Sequence, residues 1–330
     1  MKQVIVQKNE AGQRLDKLLC KILKDAPMSF CYKMLRKKNI TLNGKKATGK
    51  EHVMCGDRIT FFLSEETFDH FMGSQHQEAI FRPIREAVRL RQRKEKIQIV
   101  YEDEDILIFD KPAGMLSQKA NPQDLSAGEF LITYLLDTKK ITYEQLNTFV
   151  PAVCNRLDRN TSGLLMAGKS LAGSQFLSEI IKKREVRKFY RCIVAGEVKK
   201  RNDMKGFLWK DETKNQVVVK KREFEGAKTI RTRYKSLWYR DGVTELEVEL
   251  ITGRPHQIRA HLASEGTPII GDKKYGDEKI NAEFQKKAGI QRQLLHSYRI
   301  EFPELSGQFS YLSGKKICGN LPKDFLYFEQ

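Results

Sequence analysis

The sequence predicts a mixed fold of helices and strands, α/β or α+β, divided into two domains. Three observations carry this. The chain has 330 residues and is 40% apolar, long enough for two cores and apolar enough to fill them. Its charge is unevenly spread. Residues 1–64 hold fourteen Lys and Arg against five Asp and Glu, residues 65–80 carry four acids and no Lys or Arg, and residues 81–96 return seven bases against two acids. Its apolar residues also switch between a helical and a strand period. A boundary is expected in the alternating charge: a first domain over 1–75, a basic linker over 76–96 and a second domain over 97–330.

The first domain reads as two helices and a small sheet. Leu15, Leu18, Leu19, Ile22 and Leu23 form one helical face. Ser29 is placed to cap a second helix ending in Arg36, Lys37 and Lys38, where the macrodipole favours cations. Residues 40–42, Asn43-Gly44 and 45–47 read as strand, turn and strand, because Asn-Gly suits a type I′ hairpin. Gly56-Asp57 turns the chain into another strand over 58–63.

In the second domain, strands over 99–101 and 106–109 flank an acidic turn, and Lys111-Pro112-Ala113-Gly114 ends the second of them. Phe176, Leu177, Ile180 and Ile181 make a helical face that runs into Lys182-Lys183-Arg184. Further strands are expected over 164–167, 189–194 and 245–251.

A net charge of +18 and a pI near 9.5 favour a polyanionic partner, since basic side chains on phosphates release condensed counterions. Mean hydropathy is −0.54, and no run approaches the roughly 18 apolar residues of a membrane helix. The start turns polar too soon for a secretory h-region. A cytoplasmic protein is therefore expected, with no membrane contact. The six cysteines (20, 31, 55, 154, 192 and 318) form no C-x-x-C pair, which argues for reduced thiols rather than disulfides or zinc.

Three segments can carry chemistry. In Asn155-Arg156-Leu157-Asp158-Arg159-Asn160-Thr161-Ser162-Gly163 an aspartate stands between two cations that favour its ionised form. Lys188-Phe189-Tyr190-Arg191 places an aromatic in a basic strand. In the run from Thr252 to Leu262, Pro255 suits the first turn of a helix on which His256 and Arg259 share a face. Ordinary alternatives stand beside these: a turn-capping Asp158, a core Tyr190 and, for the lysines of the first domain, a solvated face. His256 and His261, five apart, do not converge on one metal, and no Gly-rich phosphate loop is present. Composition and spacing alone describe a basic α/β protein that binds RNA.

Two resemblances sharpen this. From Gly12 to Leu63, the order Arg14-Leu15-Asp16, Arg36-Lys37, Asn43-Gly44 and Gly56-Asp57-Arg58-Ile59 resembles the small S-four-like RNA-binding module. From about Val100 to Phe302 the chain resembles the RluA-type (RluC/RluD-like) pseudouridine synthases. That likeness rests on Asp110-Lys111-Pro112-Ala113-Gly114, Arg156-Leu157-Asp158 with Thr161-Ser162-Gly163, and Lys188-Phe189-Tyr190. It continues through Thr252-Gly253-Arg254, His256-Gln257-Ile258-Arg259, His261-Leu262, Pro268-Ile269-Ile270-Gly271-Asp272, Tyr275-Gly276, Leu295-His296 and Phe302-Pro303. Two places depart from the family pattern: Asn155 stands where His usually precedes Arg-Leu-Asp, and residues 115–119 replace a short apolar run ending in His. They bear on substrate identity rather than on reaction type.

The resemblance implies an α+β protein: a small N-terminal α/β RNA-binding module followed by a mixed, largely antiparallel-sheet catalytic domain. It implies isomerisation of uridine to pseudouridine in structured RNA, with large-subunit ribosomal RNA the expected substrate and transfer RNA, or an idle RNA-binding factor, the alternatives. No cofactor and no metal are called for, because the reaction has no redox change and no group donor. Asp158 would be the nucleophile or close stabiliser, attacking the ribose anomeric carbon or assisting elimination, with Arg259 its cationic partner; Tyr190 would stack on the flipped uracil and help remove the proton from its carbon 5. Arg156 would fill the space left by that nucleotide or hold its phosphate, and Leu262 is left as core. Arg36, Lys37, Lys38 and Lys45 are the candidates for backbone phosphates. A monomer is expected.

Overall fold

The computed structural model describes residues 1–95, 97–198, 201–211, 213 and 216–328, and of residues 74–76 the backbone alone. The N-terminal part packs α1 (Leu15–Ile22) and α2 (Met28–Arg36) against an antiparallel sheet of β1 (Lys2–Ile5), β2 (Ile40–Leu42), β3 (Lys45–Lys46) and β4 (Arg58–Phe61), in the order β1-β4-β2-β3. All five members of the expected α1 face are buried, against Ile40, Ile59 and Phe61. Asn43 and Gly44 both have positive φ, +50° and +75°, as a type I′ hairpin demands. One expectation is corrected: α2 is preceded by Pro27, which offers no side-chain cap, and Ser29 lies inside its first turn.

After α3 (Glu65–Met72), α4 (Ser74–Glu95) runs as one 22-residue helix through most of the stretch read as a linker. Its sparse apolar stripe of Phe81, Ile84 and Val88 packs on the larger hydrophobic core, while Arg85 and Arg89 pair with Asp137 at 3.3 and 3.1 Å. Three apolar positions among so many charges give little periodic signal, so helix formation here rests on docking rather than propensity.

The rest is built on β5 (Gln98–Glu102), β6 (Ile106–Lys111), α5 (Ala127–Asp137), β7 (Ala152–Val153), β8 (Ser162–Gly168) and α6 (Leu171–Lys182). Next come β9 (Arg187–Ala195), β10 (Arg201–Asp211), β11 (Gln216–Lys220), β12 (Lys228–Arg240), β13 (Val243–Leu250) and α7 (Gln257–Ser264). The chain ends with α8 (Glu278–Ala288), β14 (Leu295–Glu301), β15 (Lys316–Cys318) and α9 (Lys323–Leu326). Eleven strands form one sheet, β11-β10-β12-β13-β9-β14-β8-β6-β5, with β15 on β14 and β7 on β8. Every pairing is antiparallel except β14 with β8, so the class is α+β with a mixed, largely antiparallel sheet.

Both faces of the central strands are covered. Leu107, Phe109 and Leu165 join Phe130 and Leu131 of α5 on one side, and Ile106, Ile108, Leu164 and Met166 join Leu177 and Ile180 of α6 on the other. This double burial is why β6 and β8 read as continuous apolar runs. Where β8 meets β14, Gly163 has φ +118°, and a Cβ there would lie 2.2 Å from the Ser297 carbonyl oxygen. Only glycine permits that crossing. The N-terminal part contacts the larger one through Thr148 Oγ1 donating to Glu10 Oε1 at 2.8 Å and the Leu171 amide donating to Asn9 Oδ1 at 2.9 Å. No helix among the described residues is long and apolar enough to cross a membrane.

Candidate active site

Asp158 stands on the loop between β7 and β8, and a neighbouring segment shapes that loop. The Ser117 hydroxyl donates to the Leu157 carbonyl at 2.8 Å and accepts the Leu157 amide at 2.9 Å. Lys111 is fully buried and spends its three N–H groups on the carbonyls of Pro112, Met115 and Arg159, at 3.0, 2.9 and 3.1 Å. Burial and the nearby Arg292 pull this ammonium down to about 7, with Asp158 opposing them. Asn155 faces away from the pocket: its Oδ1 accepts the Met166 amide at 2.7 Å and its Nδ2 donates to the Leu164 carbonyl at 3.4 Å. In this chain the departure from His therefore serves to tie the loop to β8. Lys119, the other departure, pairs with Glu129 at 3.2 Å.

From α7, Arg259 places Nη1 2.7 Å from Asp158 Oδ2. Its other nitrogens go to Asp272, Nε to Oδ2 at 2.7 Å and Nη2 to Oδ1 at 2.8 Å. Asp272 is buried, and burial alone would raise its pKa. The Arg259 hydrogen bonds and charge, with the Lys274 and Tyr275 amides, hold it below the usual carboxylate range. Arg259 in turn stays protonated: burial opposes its charge, but Asp272 and then Asp158 outweigh it. The ion pair of Asp158 is thus with Arg259, the partner the resemblance implied, rather than with the adjacent cations Arg156 and Arg159.

Tyr190 on β9 is buried and lines the same cavity, opposite Ser297 in the β9–β14 ladder. Burial pushes its phenol pKa upward, and Asp158 adds to the rise, so the ring is a protonated wall rather than a ready base. Arg156, exposed, stands at the same cavity, which measures about 60 Å³. A larger cavity of about 650 Å³ lies elsewhere, between Lys8-Asn9 and the acidic turn 102–105, and contains none of Asp158, Tyr190 or Arg259.

Two details of the third segment differ from expectation. Pro255 is exposed and lies outside α7, and His256 occupies the cap position with φ +52° and ψ +14°. His261 points to Thr232 Oγ1 at 3.0 Å, and Leu262 is core. Among the described residues, no three His, Cys, Asp or Glu lie together so as to hold a metal. Arg36, Lys37, Lys38 and Lys45 are all exposed at the end of α2 and the β2–β3 turn, without an acidic partner among the described residues and outside the cavity.

Sequence reasoning singled out Asp158, Tyr190 and Arg259, which the fold brings to one pocket. It assigned no role to Asp272, Ser117 or Lys111. Asp272 was visible only as part of a motif, since nothing local shows that an acid in a turn is buried against an arginine thirteen residues earlier.

The family model for RNA pseudouridylate synthase matches residues 105–264, which include all three pocket residues. An uncharacterised RNA pseudouridine synthase of Mycoplasma pneumoniae is 29% identical over 92% of this chain and 89% of its own length. The ribosomal large subunit pseudouridine synthase C of Vibrio parahaemolyticus is 29% identical over 91% of this chain and 87% of its own. The fold matches the solved structure of human RNA pseudouridylate synthase domain containing 4, with TM-score 0.57 and 19% identity over 75% of this chain and 95% of that one. The protein named human RNA pseudouridylate synthase domain containing 1 gives 0.54 at 22% identity, over 72% and 87%. Residues 105–264 thus match the RNA pseudouridylate synthase family model around the pocket, and over most of its length the chain is similar to proteins named RNA pseudouridine synthases.

Proposed function

We propose that this enzyme isomerises uridines of large-subunit ribosomal RNA to pseudouridine in the pocket around Asp158. The observation that carries the reading is the Asp158–Arg259 pair at 2.7 Å, at a cavity walled by a buried aromatic. The carboxylate is the nucleophile toward the ribose anomeric carbon, with Oδ2 engaged by Arg259 and Oδ1 left for substrate. In the net reaction the C1′–N1 bond breaks and a C1′–C5 bond forms. A proton leaves C5 and one is taken up at N1.

Tyr190 stacks on the flipped uracil, and one such contact is worth about 1–3 kcal/mol, a large part of the flipping cost. Arg156, exposed at the mouth, takes the phosphate or the vacated position. The first 75 residues act as an RNA-binding module through Arg36, Lys37, Lys38 and Lys45, whose exposed charges have no acidic partner among the described residues. A large folded RNA suits contacts spread over two parts of the chain. The relatives named for the ribosomal large subunit point the same way.

The test is pseudouridine mapping of total RNA from cells with and without the protein, with an Asp158→Ala rescue. Sites lost in large-subunit ribosomal RNA and not restored by the variant support the reading. Loss confined to transfer RNA changes the substrate, and no lost site overturns the activity in the cell.

A further inference from the structure

The residue at the head of α7 adopts a conformation its chemistry does not favour. His256 has φ +52°, in the left-handed region where a side chain is strained. The consequence of this backbone is that its imidazole lines the cavity with Asp158, Tyr190 and Arg259. The ring is then held from behind: its Nδ1 lies 2.8 Å from the Tyr275 hydroxyl. That hydroxyl already accepts the Val217 amide of β11 at 3.0 Å. A phenol has one proton to donate, and in the tautomer with the ring proton on Nε2 that proton goes to Nδ1, so Tyr275 donates and Nδ1 accepts. That tautomer carries its proton on Nε2, which makes no hydrogen bond among the described residues.

We propose that His256 is a catalytic residue of this pocket, a neutral imidazole whose Nε2–H hydrogen-bonds a carbonyl oxygen of the uracil while its glycosidic bond is broken. The inference rests on the Asp158 pocket being the uridine site. When C1′–N1 breaks, the electron pair leaves with the base and spreads from N1 onto O2 and O4. A fixed donor on one of those oxygens is worth more in that state than in bound uridine, where the oxygens carry less charge. The imidazole neither gains nor loses a proton, so the balance of the isomerisation is unchanged. Tyr275 is the positioning residue, since it sets which nitrogen carries the proton.

The electrostatic setting agrees. Burial holds the imidazole below its usual pKa. Arg259 and Lys274 also lower it, against the opposing pull of Asp158 and Asp272. Burial likewise keeps the Tyr275 phenol protonated and able to donate.

The test is single-turnover isomerisation of an RNA substrate by the full chain, with RNA affinity and melting temperature measured on each variant. His256→Gly removes the side chain but tolerates the left-handed backbone, so folding is kept and the donor is lost. The expected result is a rate lowered about 100-fold, affinity within about 3-fold and a melting temperature no lower than that of the parent. His256→Gln, which can offer an N–H near the same place, recovers about 10-fold of the loss. Tyr275→Phe lowers the rate, and combined with His256→Gly it costs no more than His256→Gly alone, because both remove one function. Full rate in His256→Gly, or additive losses in the double variant, overturns the proposal. Asp158→Ala separates the two ideas: if that variant still turns over, the pocket assignment fails, whereas a dead Asp158→Ala beside a fully active His256→Gly refutes the histidine role alone.

Discussion

Asp272 takes two nitrogens of the Arg259 guanidinium, at 2.7 and 2.8 Å, and leaves Nη1 to meet Asp158. The pocket cation is therefore aimed by a carboxylate that does not line the cavity. A long side chain with this much rotamer freedom needs such a clamp if its charge is to sit at one point.

Removing the clamp should harm both folding and chemistry. Asp272→Asn leaves Arg259 with a poorer, neutral partner, and breaking a buried pair in this way costs about 3–5 kcal/mol. The urea midpoint should fall and the single-turnover rate should drop while Asp158 is intact. A variant as stable and as active as the parent would show that Arg259 is positioned by something else.

Asp158→Asn keeps the size of the side chain and removes its charge. Product should vanish while RNA affinity stays within a few-fold, because the binding cations lie on other residues. Turnover at the parent rate would remove the carboxylate from the mechanism.

Arg36, Lys37, Lys38 and Lys45 substituted together by Ala should weaken RNA binding and flatten its dependence on salt. Four lost phosphate contacts correspond to a decrease of about 3 in the slope of log affinity against log salt. An unchanged slope would exclude them as phosphate contacts.

Acid sensitivity should carry a histidine signature. His296 is buried beside Ser162, and burial, with Arg292 and Arg191 nearby, lowers its pKa to about 3. The unfolded chain, with an imidazole pKa of about 6.5, then binds a proton that the folded chain refuses. Stability from this group is full above pH 6.5 and is lost as pH falls toward 3. Urea midpoints at pH 7.5 and 5 should differ more for the parent than for His296→Gln, and equal differences would contradict the assignment.

Substituting Ser117 by Ala removes the partner of the Leu157 amide and carbonyl at once. Buried groups left unpaired cost about 1–3 kcal/mol each. The Asp158 loop should loosen, so the rate should fall further than the melting temperature explains. A rate loss matching the stability loss would reduce Ser117 to a purely structural part.

The local elements were legible in the sequence because their signals are local. The α1 leucines sit on one face, Asn43-Gly44 turns a hairpin, and the alternating and continuous apolar runs mark β6, β8, β9 and β13. Asp158, Tyr190 and Arg259 were legible through motifs, each of which is a contiguous piece of chain. The helix α4 was not, since its stripe of three apolar residues is set among charges and is satisfied only against α5. Nor were the roles of Asp272, Tyr275, Ser117 and Lys111. Each acts on a partner brought near by β-strand register or by the turn after α7, and the burial that gives a hydrogen bond its strength is a property of the whole packing. By itself the sequence determined which chemical groups are present and which segments become helix or strand. Only the tertiary structure decided that Asp272 holds two nitrogens of Arg259 and leaves Nη1 to Asp158, because a charge acts through distance in space and not along the chain.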